Sequence, residues 1–211
     1  MTPRWPFDGL AIAGSGLVLR PVRDADIERL VAIFPDDFDL DPTYPPLHGV
    51  PPAIDHERRL VQSIWRHRGC WSVDDWALDF GVWRNGAPLG IQTLEGTEFA
   101  QEHTVDSASW IAKPFRGKGF GIQARELALA FAFETLGAEK AITSAVVTNH
   151  ASLGVSRHLG YRDDGVKPHD TGTEIVQLRH LVLDHSDWAA QHRTSPTVTG
   201  FEPCRPFFGP A

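Results

Sequence analysis

The plainest chemical signal in the chain is Arg116-Gly117-Lys118-Gly119-Phe120-Gly121, three glycines at alternate positions interleaved with two cations, placed after Pro114 and directly before an amphipathic run. Glycine reaches backbone conformations closed to other residues and lets a ligand approach the chain closely. The first turn of a helix leaves its N–H groups unpaired and carries a partial positive charge. Together they make a cradle for an anion. A second reading is available, because Gly119-Phe120-Gly121-Ile122-Gln123-Ala124 also spells the dinucleotide fingerprint. That motif should follow a buried strand and be answered by an acidic residue at the end of the next one. Here Pro114 intervenes and the next strand ends Val147-Thr148-Asn149, so the fingerprint is rejected. Metal chemistry finds no support: the ten histidines are scattered without HExxH, and neither Cys70 nor Cys204 has a partner at ligand spacing.

These residues need elements to position them. An extended run, 105–112, leads into the loop, and the helix at about 121–136 lays Ala124, Leu127, Ala128, Phe131 and Leu136 along one face before Gly137 ends it. A strand at 141–147 follows, and a strand-helix-strand crossover is right-handed, so 105–112 and 141–147 should run parallel. Asn149 then precedes a helix from Ala151 to about Leu159, stopped by Gly160, and strands at 161–167 and 174–183 close the domain around a turn with Pro168 and Gly172. Upstream, Leu17 to Pro21 reads as a strand and Asp24 as the cap of a helix bearing Ile27, Leu30, Val31 and Phe34. Residues 35–54 hold six prolines together with Asp36, Asp37, Asp39 and Asp41, and form a loop that either walls an acceptor pocket or is a solvated excursion. A helix over Asp55 to Arg68 comes next, then strands at 76–83 and 89–94 about the Asn85-Gly86 hairpin turn, and a linker from Glu95 to Thr104.

At 211 residues with a formal net charge of -7, the chain suits one domain and lacks the basic face a nucleic-acid binder requires. A cationic or amine-bearing partner fits better. Two cysteines without a disulfide pattern, and an opening stretch too short and too glycine-broken for a signal peptide, predict a reduced, cytoplasmic protein that does not enter membranes. The expected organisation is a lead-in over 1–16, a domain over 17–185 and an extension over 186–211 packed on it.

The loop fits (Arg/Gln)-x-x-Gly-x-(Gly/Ala), and Asn149-His150-Ala151-Ser152 closed by Gly160-Tyr161 matches a second hallmark at the right distance. With the opening strand and helix and the run Ala130-Phe131-Ala132-Phe133-Glu134, the chain over about 17–183 resembles the GCN5-related N-acetyltransferases (GNAT), in particular the RimJ/RimL-like branch. Its ending, Gly200-Phe201-Glu202-Pro203-Cys204-Arg205-Pro206-Phe207-Phe208-Gly209-Pro210, is similar to a bacterial subgroup with succinyl-CoA-binding members. The resemblance implies an α+β fold: a mixed, mostly antiparallel sheet of six to seven strands, two central parallel strands splayed apart, and helices on both faces. It implies that acyl-CoA enters the splay. Backbone N–H groups of Arg116, Gly117, Lys118, Gly119, Phe120, Gly121 and Ile122 would hold the pyrophosphate. The strand at Trp110, Ile111 and Ala112 would bind pantetheine, with an N–H near Ile111 for the oxyanion. Asn149 and Ser152 would face pantetheine and sulfur.

The reaction implied is attack of a primary amine on a thioester without a covalent enzyme intermediate, and it needs a base because such amines are protonated at neutral pH. Asp106 stands where RimJ/RimL-like chains carry an acid before the strand tryptophan, though it also suits an ordinary strand-edge carboxylate; Glu95 and Glu98 are reserves. For the acid, many members have a tyrosine seven residues after the asparagine, but position 156 is serine. Ser152 is then the candidate, with helix capping as its other role, and a thiolate at solvent could leave unaided. Acetyl-CoA is the expected donor and succinyl-CoA the alternative, without a metal. The acceptor is a protein N-terminus, a polyamine, an aminoglycoside-like compound or another small amine. A non-catalytic acyl-CoA-binding module and self-association into a homo-oligomer stay open.

Overall fold

The computed structural model describes residues 5–38, 44–171, 174–191 and 195–209. Asp39, Asp41 and Pro42 of the proline-rich loop and Gly172 of the last turn lie outside them.

One mixed sheet organises the described residues. Its strands are β1 (Ala11–Gly14), β2 (Leu17–Pro21), β3 (Asp75–Arg84), β4 (Ala87–Thr97), β5 (Thr104–Ile111), β6 (Lys140–Val146), β7 (Arg162–Asp170), β8 (Ile175–Asp184) and β9 (Thr197–Thr199), in the order β7-β8-β6-β5-β4-β3-β2-β1-β9. Every neighbouring pair is antiparallel except β5 with β6, the two strands joined by the helical crossover. Asn85 and Gly86 both take positive φ, 50° and 76°, the mirror-image turn that matches the twist of the hairpin β3–β4. Seven of these strands are legible as alternating or apolar runs. The other two, β1 and β9, are short, polar or glycine-flanked, and they form because each pairs along an edge that the other segments have already built.

The helices are α1 (Asp24–Val31), α2 (Pro52–Gly69), the single turn α3 (Phe99–Glu102), α4 (Phe120–Ala130, running on as a wider π turn over Phe131–Thr135), α5 (His150–His158) and α6 (His185–Gln191). They cover both faces. Leu127, Ala128 and Phe131 of α4 bury against Leu17, Leu19, Phe80 and Leu94 on one side, whereas Ile27, Leu30, Leu60 and Ile64 of α1 and α2 pack on Ile91 and Trp110 on the other. The tail adds Phe201, Cys204 and Phe208 to the first core, and the indole N–H of Trp71 donates to the Phe207 carbonyl at 3.0 Å.

Two local expectations need correction. Asp24 is the first helical residue of α1 and pairs with Arg68 at 2.6 Å; the cap falls to Asp26, whose carboxylate accepts the Arg23 N–H at 3.0 Å and is also bonded by Arg20. Glu95 is not in a linker, because β4 continues through it and sets it directly opposite Asp106. Among the described residues no helix is long and apolar enough to cross a membrane, and no group of three metal-ligating side chains converges.

Candidate active site

The parallel pairing of β5 and β6 is brief. It covers Thr104 with Lys140, Val105 with Ala141 and Asp106 with Ile142, and there it stops. Beyond the fork β5 keeps its partner β4 as far as Ile111, and β6 keeps β8 as far as Val146, so the two strands diverge. The Thr143 hydroxyl bridges the fork by donating to the Ser107 carbonyl at 2.9 Å. On the far side of β5, the Ala112 N–H donates to Leu89 at 2.9 Å. Alternation along an antiparallel strand then turns the N–H groups of Ser109 and Ile111 toward the opening. A cavity of about 910 Å³ fills the divergence, lined by Asp106 to Ile111 on one wall, Thr143 to Ala145 on the other, and the glycine loop at its mouth.

The loop has the expected geometry. Gly117 and Gly119 hold φ of 72° and 81°, conformations that strain any residue with a Cβ. α4 opens at Phe120 and its first backbone bond runs from the Gln123 N–H to the Gly119 carbonyl at 3.1 Å, which leaves the N–H groups of Phe120, Gly121 and Ile122 without a helical acceptor. Gly121 is different. A Cβ there would meet Ile111 at 3.7 Å and Val155 at 3.9 Å, ordinary contacts, so neither φ nor packing requires glycine at that place. The cations of the loop are already engaged: Arg116 makes a bidentate pair with Asp37 at 2.7 Å and bonds the Ile111 carbonyl at 2.9 Å, Lys113 pairs with Asp36, and Lys118 donates to the Pro114 carbonyl at 2.8 Å. Asp36 and Asp37 therefore tie the proline-rich loop to the glycine loop rather than presenting free charge to an acceptor.

Asp106 and Glu95 face each other across β4 and β5 and line both this cavity and a second one of about 570 Å³, which also carries Glu102, Lys140, Arg162, Asp164 and Asp184. Burial, and after it the neighbouring Glu95 charge, push the Asp106 carboxyl up to about 7, against the pull of the Ser107 N–H at 2.6 Å and of the Arg125 charge. A carboxyl so placed exchanges its proton near neutral pH. Glu98 begins α3 at the exposed surface and lines neither cavity.

On the opposite wall Asn149 caps α5 by accepting the Ser152 N–H at 3.0 Å, so the capping role belongs to Asn149 while Ser152 lines the cavity. Trp110 packs its ring on Phe34 at 5.1 Å in the second core and also borders the cleft. Tyr161 is buried behind the lining, its phenol pushed up to about 12 by burial. Sequence reasoning overlooked Arg125, a buried cation that lines the cleft and bonds the hydroxyls of Ser109 and Ser156, both at 3.0 Å. The available signal was an arginine between Ala124 and Leu127 on the apolar stripe of α4.

A sheet whose one parallel pair forks over a glycine-loop helix defines the N-acyltransferase class. Residues 16–162 match the model of the acetyltransferase (GNAT) domain, and the chain belongs to that family. Among relatives, YdaF of Bacillus subtilis (strain 168), named by inference as a ribosomal N-acetyltransferase, is 26% identical over 136 residues, covering 64% of this chain and 71% of YdaF. The structure of Mycobacterium smegmatis RimJ in complex with CoA-disulfide superposes with a TM-score of 0.66 at 19% identity, covering 90% of this chain and 97% of RimJ. A spermidine N-acetyltransferase SpeG chimera from Vibrio cholerae and hSSAT gives 0.63 at 16% identity, covering 84% of this chain and 100% of the chimera. At such identities the structural likeness is one of fold.

Proposed function

We propose that the protein is an acyl-CoA-dependent N-acyltransferase that moves an acetyl group to a primary amine by direct attack. The observation that carries this reading is the fork: β5 leaves β6 after Asp106, and the opening has unpaired strand N–H groups along one wall and a glycine-loop helix start at its mouth. Backbone N–H groups from Gly117 to Ile122 suit a pyrophosphate, the Arg116 N–H being taken by the Lys113 carbonyl at 3.3 Å, and the β5 edge at Ser109 and Ile111 can pair with pantetheine as an added strand would, since the Ala112 N–H is spent on Leu89. Asn149 and Ser152 stand across from it.

In the reaction the ammonium loses one proton to solvent, the neutral nitrogen attacks the thioester carbon, and the adduct's N–H proton passes to the Asp106 carboxylate, directly or through water. The Ile111 N–H faces the developing oxyanion. Collapse breaks the C–S bond, the electron pair leaves on sulfur, and the thiolate takes a proton from solvent or from the Ser152 hydroxyl. Acetyl-CoA is the first donor and succinyl-CoA the alternative. The acceptor enters from the second cavity, whose five carboxylates outnumber Lys140 and Arg162, the latter paired with Asp184, and so favour a cationic amine, such as a protein N-terminus or a polyamine. The exposed Cys70 and buried Cys204, both free thiols, suit a reducing cytoplasm.

The test is thiol release from acetyl-CoA across a panel of amines. Release that needs an amine and slows about 100-fold or more in Asp106→Asn supports the reading. Tight CoA binding with no release for any amine would instead identify a binding module.

A further inference from the structure

We propose that Arg125 is the fixed positive charge against which the thiolate departs, acting through space from beneath β5 rather than by giving up a proton. This role rests on the acyl-CoA reading above and belongs to that same cleft.

Arg125 sits on the buried stripe of α4, only 3% exposed, and lines the cavity between the diverging strands. Its guanidinium joins the two walls: one N–H group donates to the Ser109 hydroxyl of β5 and another to the Ser156 hydroxyl of α5, each at 3.0 Å. Both partners are neutral, and Nε is buried with no hydrogen-bond partner among the described residues. Burial works against the charge, but an arginine starts so high that it stays protonated at neutral pH. The ionisable groups that face it are Tyr161, just past α5, and Asp106 on β5. Tyr161 is a phenol kept neutral by burial, which leaves Asp106 to carry the compensating negative charge, and its carboxyl gains and loses a proton at about 7.

The reaction moves negative charge within the reach of this cation. Ser109 lies on the strand edge two residues, about 7 Å, from Ile111, whose N–H takes the thioester oxygen. Sulfur is one bond from the thioester carbon, so the guanidinium held at Ser109 acts on it over roughly 6–10 Å. When the adduct's N–H proton passes to Asp106, that carboxylate becomes neutral and Arg125 loses its negative neighbour. Collapse then breaks the C–S bond and leaves the electron pair, with a full negative charge, on sulfur. The site's net charge is unchanged, because the charge given up at Asp106 reappears on the thiolate. Two hydroxyls already hold the cation in place, so it stabilises the leaving group without reorganising, in a cleft where water screens it little. A proton from solvent can then reach the thiolate after the bond has broken.

The test reads the bound thiol itself and needs no acceptor. The full chain is titrated with free CoA present, and ionisation of the CoA thiol is followed by its ultraviolet thiolate absorbance, as the difference between spectra with and without CoA. The thiol of bound CoA should be about 10- to 100-fold more acidic than that of CoA in buffer, the scale of a unit charge acting over ~6–10 Å at an effective dielectric of ~20. Arg125→Met should cancel most of that gain and lower kcat by a similar factor, while affinity for CoA with its thiol protonated stays within about threefold. Arg125→Lys, which keeps a charge if the methionine variant fails to fold, should retain part of the gain. A wild-type complex whose thiol ionises as in free CoA overturns the proposal. So does an Arg125→Met complex as acidic as the wild type, because strand N–H groups and helix ends would then supply the effect. Loss of CoA affinity and turnover by one common factor also overturns it, since that is the mark of packing alone. No CoA binding at all would sink the acyltransferase reading itself, whereas CoA binding with an unshifted thiol sinks only the role of Arg125.

Discussion

Replacing Asp106 by asparagine should make the protein more stable and nearly inactive at once, with a pH signature for each effect. The folded carboxyl holds its proton up to about 7, against 3.8 for a free aspartate, so ionising it in place opposes folding. The sign follows from proton counting: between these values the folded state binds more protons than the unfolded one, and stability falls as pH rises through the window. The full shift is worth up to about 4 kcal/mol at roughly 1.4 kcal/mol per unit. About two of its three units lie above pH 5, so the stability gap between Asp106→Asn and wild type should widen by about 3 kcal/mol from pH 5 to pH 8, then level off. Asparagine keeps a carbonyl oxygen for the Ser107 N–H, now bonded at 2.6 Å, so the local backbone is retained. Urea unfolding at pH 5, 6.5 and 8 reads the gap. In parallel, wild-type kcat/KM should rise to a plateau just above pH 7, and the variant should lose that limb together with about 100- to 10,000-fold of rate. A gap that stays constant from pH 5 to 8, or a wild-type rate that falls as pH rises, would refute the assignment of Asp106 as a buried proton acceptor.

Three further outcomes follow from the same geometry. Glu95→Gln removes the second cause of the raised Asp106 value, so the kinetic limb should move below pH 7 while turnover survives; an unmoved limb would mean the two carboxyls do not sense each other. Gly119→Ala forces a Cβ onto a φ of 81° and should cost about 1–2 kcal/mol of stability, whereas Gly121→Ala meets only ordinary contacts and should leave the melting temperature almost unchanged yet weaken CoA binding, as calorimetry on both will show. Gly90→Ala would set its Cβ 2.0 Å from the Trp110 carbonyl oxygen, a backbone clash that should cost about 3 kcal/mol or more and disturb the β5 edge; soluble, wild-type-like protein would contradict the pairing of β4 with β5.

Much of the fold could be read in the chain because its signals are local. A positive-φ turn announces itself as Asn85-Gly86, an apolar stripe as Ala124, Leu127, Ala128 and Phe131, and a helix cap as Asn149 three residues before Ser152. The parallel pairing of β5 and β6 also follows from a local rule, the handedness of a crossover. The two edge strands did not announce themselves, because β1 and β9 have weak sequences and depend on partners nearly two hundred positions apart, such as Ala11 with Thr199.

By itself, then, the sequence determined the glycine loop and its flanks: glycines at 117 and 119, the helix behind them and the strand before them are specified within one continuous stretch from Thr104 to Ala130. Tertiary structure decided the rest. Glu95 faces Asp106 only because β4 runs three residues past its expected end, and register in a sheet is a collective property of both strands. Asp37 meets Arg116 across 79 positions of chain. Arg125 became informative only when its surroundings were seen: α4 buries it against the Ser109 and Ser156 hydroxyls, which its place in the sequence does not announce. Burial and partnership set what a charged group can do, and both are sums over residues that only the folded chain brings together.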